Sequence, residues 1–174
     1  MPIDPTLTAL VEYTGWERAK WHEWLRQQGA AVLQMSAGPH GDGRFARVGE
    51  LLKHIFSAEK RYIERLTGRP LTDTAALPDG DLETLFDFGR RSRTELKAFL
   101  ESFPAKDWDA AHQFTILNRA FSATPRKIVI HVLTHEIRHW AQIATLLRLN
   151  GLAGDCHDFL FSPVLDGGEF VTGL

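Results

Sequence analysis

The chain of 174 residues has a single cysteine, Cys156, so it can form no internal disulfide and no thiolate-rich zinc cluster. It has no apolar run near the ~18 residues that a membrane helix requires. Charge of one sign is scarce as well: 20 Lys and Arg against 22 Asp and Glu leave a formal net charge of −2. That balance announces neither nucleic acid nor an anionic membrane as a partner. The opening MPIDPTLTAL lacks the charged-then-apolar layout of a secretory signal. Internal repeats and low-complexity tracts are also missing. These absences predict a cytoplasmic protein with one domain over residues 1–174, long enough to bury a proper core.

What the sequence does have is helical punctuation. Asp4 and Pro5 suit a cap and first-turn proline, and Leu7, Leu10, Val11, Trp21, Leu25, Val32 and Met35 follow at helical spacing until Ser36-Ala37-Gly38-Pro39. A second helix is predicted from about residue 45 to 67, ended by Gly68 and Pro70. Its apolar stripe is Val48, Leu51, Leu52, Ile55, Ala58, Tyr62 and Leu66. A third runs from about residue 81 to 103, between Pro78 and Pro104. The fourth opens at Thr124-Pro125 and closes at Asn150-Gly151, about 26 residues or nearly 40 Å at the usual rise. Four such runs predict an all-α four-helix bundle. Weak alternation over residues 113–117 predicts a short strand or irregular segment between the third and fourth helices. The tail after Gly151 reads as an irregular packed end.

The fourth helix carries HVLTHEIRHWAQI, residues 131–143. Positions four apart differ by about 40° around a helix axis, so His131, His135 and His139 share one drifting stripe. Two neighbours can hold one ion through nitrogens ~2.0–2.1 Å from it. The outer two cannot, being about 12 Å apart along the axis. One pair therefore binds and the remaining histidine supports it. A third ligand must come from elsewhere, and His54 is the best candidate because it lies beside the apolar stripe of the second helix. His22, His40 and His112 have polar neighbours and are expected at the surface; His157 stays open.

HIFSAEKRYI at residues 54–63, followed about 80 residues later by HVLTHEIRHWAQI and then by LRLNG and DFLF, resembles the DinB/YfiT-like family. That resemblance implies a four-helix bundle with a three-histidine divalent metal site, its ligands His54, His135 and His139, with His131 one turn earlier as a supporting residue. The family commonly reads His-Arg-Gly-Gln-Ile at the last ligand, where this chain has His139-Trp140-Ala141-Gln142-Ile143, a change expected to alter crowding beside the site. It also implies a small-molecule substrate and transfer of a low-molecular-weight thiol to an electrophile, with Zn, Ni or Fe as the ion. A metal-dependent hydrolase and a non-catalytic metal- or ligand-binding bundle are the alternatives; no catalytic side chain is assigned. Homodimers are expected from the family's habit and from Trp16 and Trp24, which fall off the main stripe of the first helix.

Residues 135–139 also satisfy H-E-x-x-H, in which two histidines hold zinc and the glutamate activates water. A zinc protease needs a further ligand, for which only His157 and Glu169 lie downstream, and an edge strand for its peptide. No strand-rich half precedes the motif, so the bundle site is preferred. Glu136 and Arg138 are then expected on a solvated face or in interhelical salt bridges, with Glu136 no general base.

Overall fold

The computed structural model describes residues 5–36, 45–116, 118–154 and 157–166. Among these, four long helices form: α1 Pro5–Gln28, α2 Val48–Leu66, α3 Leu82–Ser102 and α4 Pro125–Leu149. Their starts follow local chemistry. The Asp81 carboxylate accepts from the Thr84 backbone N–H, and the Thr124 hydroxyl accepts from the Lys127 N–H with Pro125 in the first turn behind it. Gly68 and Gly151, with φ of +66° and +81°, end α2 and α4 in the left-handed conformation open to glycine. Residue 4, the expected first cap, lies outside the described residues, as do 37–44.

Two boundaries differ from expectation. The first helix stops at Gln28, because Gly29 turns to φ +79° and Ala30–Gln34 continue as a 3₁₀ turn. That turn still buries Val32 and Leu33, which is why the apolar spacing reads through the break. The second helix begins at Val48, and Phe45 lies before it. Between α3 and α4 the chain makes a two-stranded antiparallel hairpin, β1 His112–Ile116 with β2 Arg119–Ala123. The single expected strand has a partner that alternation could not reveal, since β2 is exposed at every position but Ala123.

α2 packs on both α3 and α4, and α1 completes the bundle against the same two helices. The apolar interior is in two main parts. One gathers Trp21, Leu25, Leu33, Leu52, Ile55, Phe56, Phe86, Trp140 and Ile143. The other gathers Leu7, Val11, Ile63, Leu66, Leu96, Phe99, Val129 and Leu133. Between them runs a layer of charge to which every helix contributes one residue: Arg18, Glu59, Arg93 and Glu136. Arg18 spans Glu59 and Glu136 and also donates to the Gly89 carbonyl at 3.0 Å. Arg93 reaches Glu59 at 3.0 Å, Glu136 at 2.7 Å and the Thr14 hydroxyl at 2.7 Å. Two guanidinium groups facing two carboxylates leave no net charge, the condition for burying ions at tolerable cost. Burial alone would lower the Arg18 pKa, but Glu136 and Glu59 beside it raise it and hold the group protonated. Burial likewise pushes Glu59 up, and Arg18 and Arg93 bring it below the ordinary carboxylate value.

The aromatics of α1 pack within the chain. Trp21 stacks on Trp140 at 5.3 Å, and Trp24 meets Trp21 edge-on. Trp16 is half-buried beside Tyr13 and carries the Lys20 ammonium over its ring. Their displacement from the stripe is thus explained within one chain, so homodimerisation leans on the resemblance alone. No helix among the described residues is long and apolar enough to cross a membrane.

Candidate metal centre

α2 and α4 pack against each other so that His54 faces His135 and His139. His54 Nε2 lies 3.1 Å from His135 Nε2, which lies 3.0 Å from His139 Nε2. One ring nitrogen from each of the three falls within 4.8 Å of the others. Each 3.0–3.1 Å separation is within the roughly 4 Å that two bonds of 2.0–2.1 Å to a common ion can span.

The rings are prepared for a cation. Burial, reinforced by His139 and His54, pushes the His135 pKa down to about 3, so this imidazole is neutral with its lone pair available at physiological pH. The Gln142 side-chain oxygen accepts from His139 Nδ1–H, which fixes the tautomer that leaves Nε2 as the ligand atom. Phe45 covers the cluster, its ring 4.6 Å from His54 and edge-on to His139. The donor set fits a divalent ion: three imidazole nitrogens, with no carboxylate or thiolate joining them among the described residues.

His131 lies one turn before, exposed, with its ring 5.5 Å from that of His135 and edge-on to Tyr62 at 5.3 Å. Burial and then Arg138 lower its pKa below the ordinary imidazole value. Arg138 is exposed, and its guanidinium donates to His139 Nε2 at 3.1 Å. That bond uses the lone pair an ion would take, so Arg138 would have to release His139 on metal binding, and its cation would then favour an anionic group beside the ion.

Several expectations need correction. Glu136 is not on a solvated face. It is 1% exposed, held by Arg18 and Arg93, and accepts the Trp140 indole N–H at 3.1 Å, so the alternative of an interhelical ion pair holds. With those partners it faces the bundle interior, which removes the water-activating group of the protease reading. His157, one of that reading's downstream ligands, instead stacks on Trp21 at 4.1 Å; Glu169, the other, lies outside the described residues. Trp140 does not crowd the metal centre, being buried among Trp21, Phe56 and Phe86. His22 is half-buried on the Phe86 ring and bonds Glu83 at 3.0 Å. His112 is half-buried at the start of β1, while His40 and Cys156 lie outside the described residues. Gln142, the orienting partner of His139, is not among the expected site residues; its position three residues on, on the same helix face, is the signal that points to it.

A comparison with curated proteins finds no match. The model of the family described as the DinB family matches residues 3–165, which include all four helices and the three clustered histidines. The chain belongs to the DinB family.

Proposed function

We propose that this protein is a metal-dependent enzyme that transfers a low-molecular-weight thiol to an electrophilic small molecule, with His54, His135 and His139 holding the ion and His131 supporting them. The observation that carries this reading is the convergence of three imidazole nitrogens from two helices without a fourth protein ligand among the described residues. Structural sites close their coordination with protein; sites that do chemistry keep a position open. A divalent ion held by three uncharged ligands keeps its full charge, which favours an anion at that position and lowers the pKa of a thiol or water there. The residues around it serve orientation: Gln142 fixes His139, Phe45 excludes water from one side, and Arg138 offers a donor to an anionic group. In the transfer the thiol sulfur forms a bond to the substrate carbon, the leaving group departs with the bonding pair, and the thiol proton passes to solvent.

The test is an assay of protein loaded with Zn²⁺, Ni²⁺ or Fe²⁺, using glutathione, bacillithiol and mycothiol against a chlorinated aromatic acceptor. Thiol consumption that disappears in His54→Ala supports the reading. Acceptor turnover that needs no thiol would assign a hydrolase instead, and full metal retention in His54→Ala would overturn the ligand set.

A further inference from the structure

Beside the histidine cluster lies a cavity of about 320 Å³. Its walls are Tyr62 of α2, Ile116 and Phe121 of the hairpin, and Ile128, Lys127 and His131 of α4. The volume is at the lower end of the ~300–1,000 Å³ range of small-molecule sites. Four of these side chains are aromatic or aliphatic, and the permanent charge belongs to Lys127, whose ammonium makes no ion pair among the described residues. The cavity is next to the metal centre rather than part of it: His131 forms its wall on one side and meets the His135 ring on the other.

The hairpin explains itself in this light. β2 buries only Ala123, yet it presents Phe121, 45% exposed, at the cavity and pairs it with Phe114 across the strands. An aromatic left in water at the mouth of an apolar cavity gains most when an apolar body fills the space. The two ends of the α4 stripe also differ in character. Arg138 puts a cation beside His139, while the His131 end opens on Tyr62, Phe121 and Ile128.

We infer that this cavity seats the electrophilic partner of the reaction, a small molecule with an aromatic or aliphatic body and one anionic group paired to Lys127. The reacting carbon is then delivered past His131 toward the cluster. Its role as an acceptor site rests on the transfer reading above; the binding itself does not.

The test uses 2-naphthoate and 2-naphthylmethylammonium as probes, titrated into wild type, Phe121→Ala and Lys127→Glu, each metal-free and Zn²⁺-loaded. Both substitutions are at exposed positions, and circular dichroism checks the fold. Naphthoate is expected to bind wild type with or without metal. Lys127→Glu should weaken naphthoate by roughly three- to tenfold and strengthen the ammonium probe, a crossover that misfolding cannot mimic. Phe121→Ala should weaken both probes. In Co²⁺-loaded protein the naphthoate proton resonances should broaden relative to the Zn²⁺ form. Absence of naphthoate binding, binding that ignores both substitutions, or binding to Co²⁺-loaded protein without broadening would each overturn the inference while leaving the metal centre intact. Failure of the protein to take up Co²⁺ or Zn²⁺ would sink the metal reading instead, and the metal-free titrations would still decide the cavity.

Discussion

His135 and Glu136 are neighbours on α4 and serve different faces of it: the imidazole meets His54 and His139, while the carboxylate lies among Arg18 and Arg93. The same peptide segment therefore carries one candidate ligand of the metal centre and one member of the charged layer. Glu59 repeats the arrangement on α2, five residues after His54. The charged layer and the histidine cluster thus share these two helices at neighbouring heights.

Glu136→Gln is accordingly expected to cost stability. It leaves two buried guanidinium groups with one carboxylate, and breaking a buried pair this way typically costs about 3–5 kcal/mol. Thermal melting should show a large fall in Tm. A variant as stable as wild type that keeps its metal and loses only activity is the zinc-protease outcome, and would contradict the placement of Glu136.

Gln142→Leu removes the acceptor on His139 Nδ1 and little else. Loss of such an orienting bond usually weakens metal affinity by about 10–100-fold. A metal titration against a competing chelator should show that drop, with the helical signal unchanged. His131→Ala should by comparison retain its metal.

Glu17 makes stability depend on pH. Burial, then repulsion from Glu136, raises its pKa from 4.5 to about 8, against a smaller opposing effect from Trp21. Between those values the folded state holds a proton that the unfolded chain has released. Its stabilising contribution is thus complete below about pH 4.5 and is lost as pH rises through about 8. Glu17→Gln should flatten this part of the profile. Melts at pH 6 and pH 9 in the two proteins measure it; an equal fall in both would rule Glu17 out as the cause.

Two helical glycines should respond oppositely to alanine. A Cβ at Gly49 would lie 1.9 Å from the Asp79 carbonyl oxygen, so Gly49→Ala must displace backbone and should cost about 1–3 kcal/mol or more. At Gly15, inside α1, nothing lies within 4 Å of the added carbon, and Gly15→Ala should stabilise by up to about 1 kcal/mol. Denaturant midpoints for both variants test the pair.

The helices were legible because their ends are written locally, as Asp81, Thr124-Pro125, Gly68 and Gly151 show. The histidine cluster was legible in part: four-residue spacing limits one ion to a neighbouring pair on α4 and the apolar stripe of α2 points to His54, but the choice of His135 with His139 over His131 with His135 came from the family resemblance. The charged layer was not. Arg18, Glu59, Arg93 and Glu136 are single charges on four separate helices, and each alone looks like an ordinary surface residue. Only their common height in the bundle makes them partners, and that height depends on packing that no local pattern encodes. β2 escaped for the converse reason: paired with β1 but exposed, it has no burial alternation to read.

The hairpin has a further consequence. It interrupts none of the four helices and supplies a wall of the cavity from its own side chains, so changes at Ile116 or Phe121 reshape that space without touching the ion network or the three clustered histidines; the imidazole that shares the wall is His131. Substitutions in these two five-residue strands can therefore change the shape of the space while the helices that carry the clustered histidines keep their sequence.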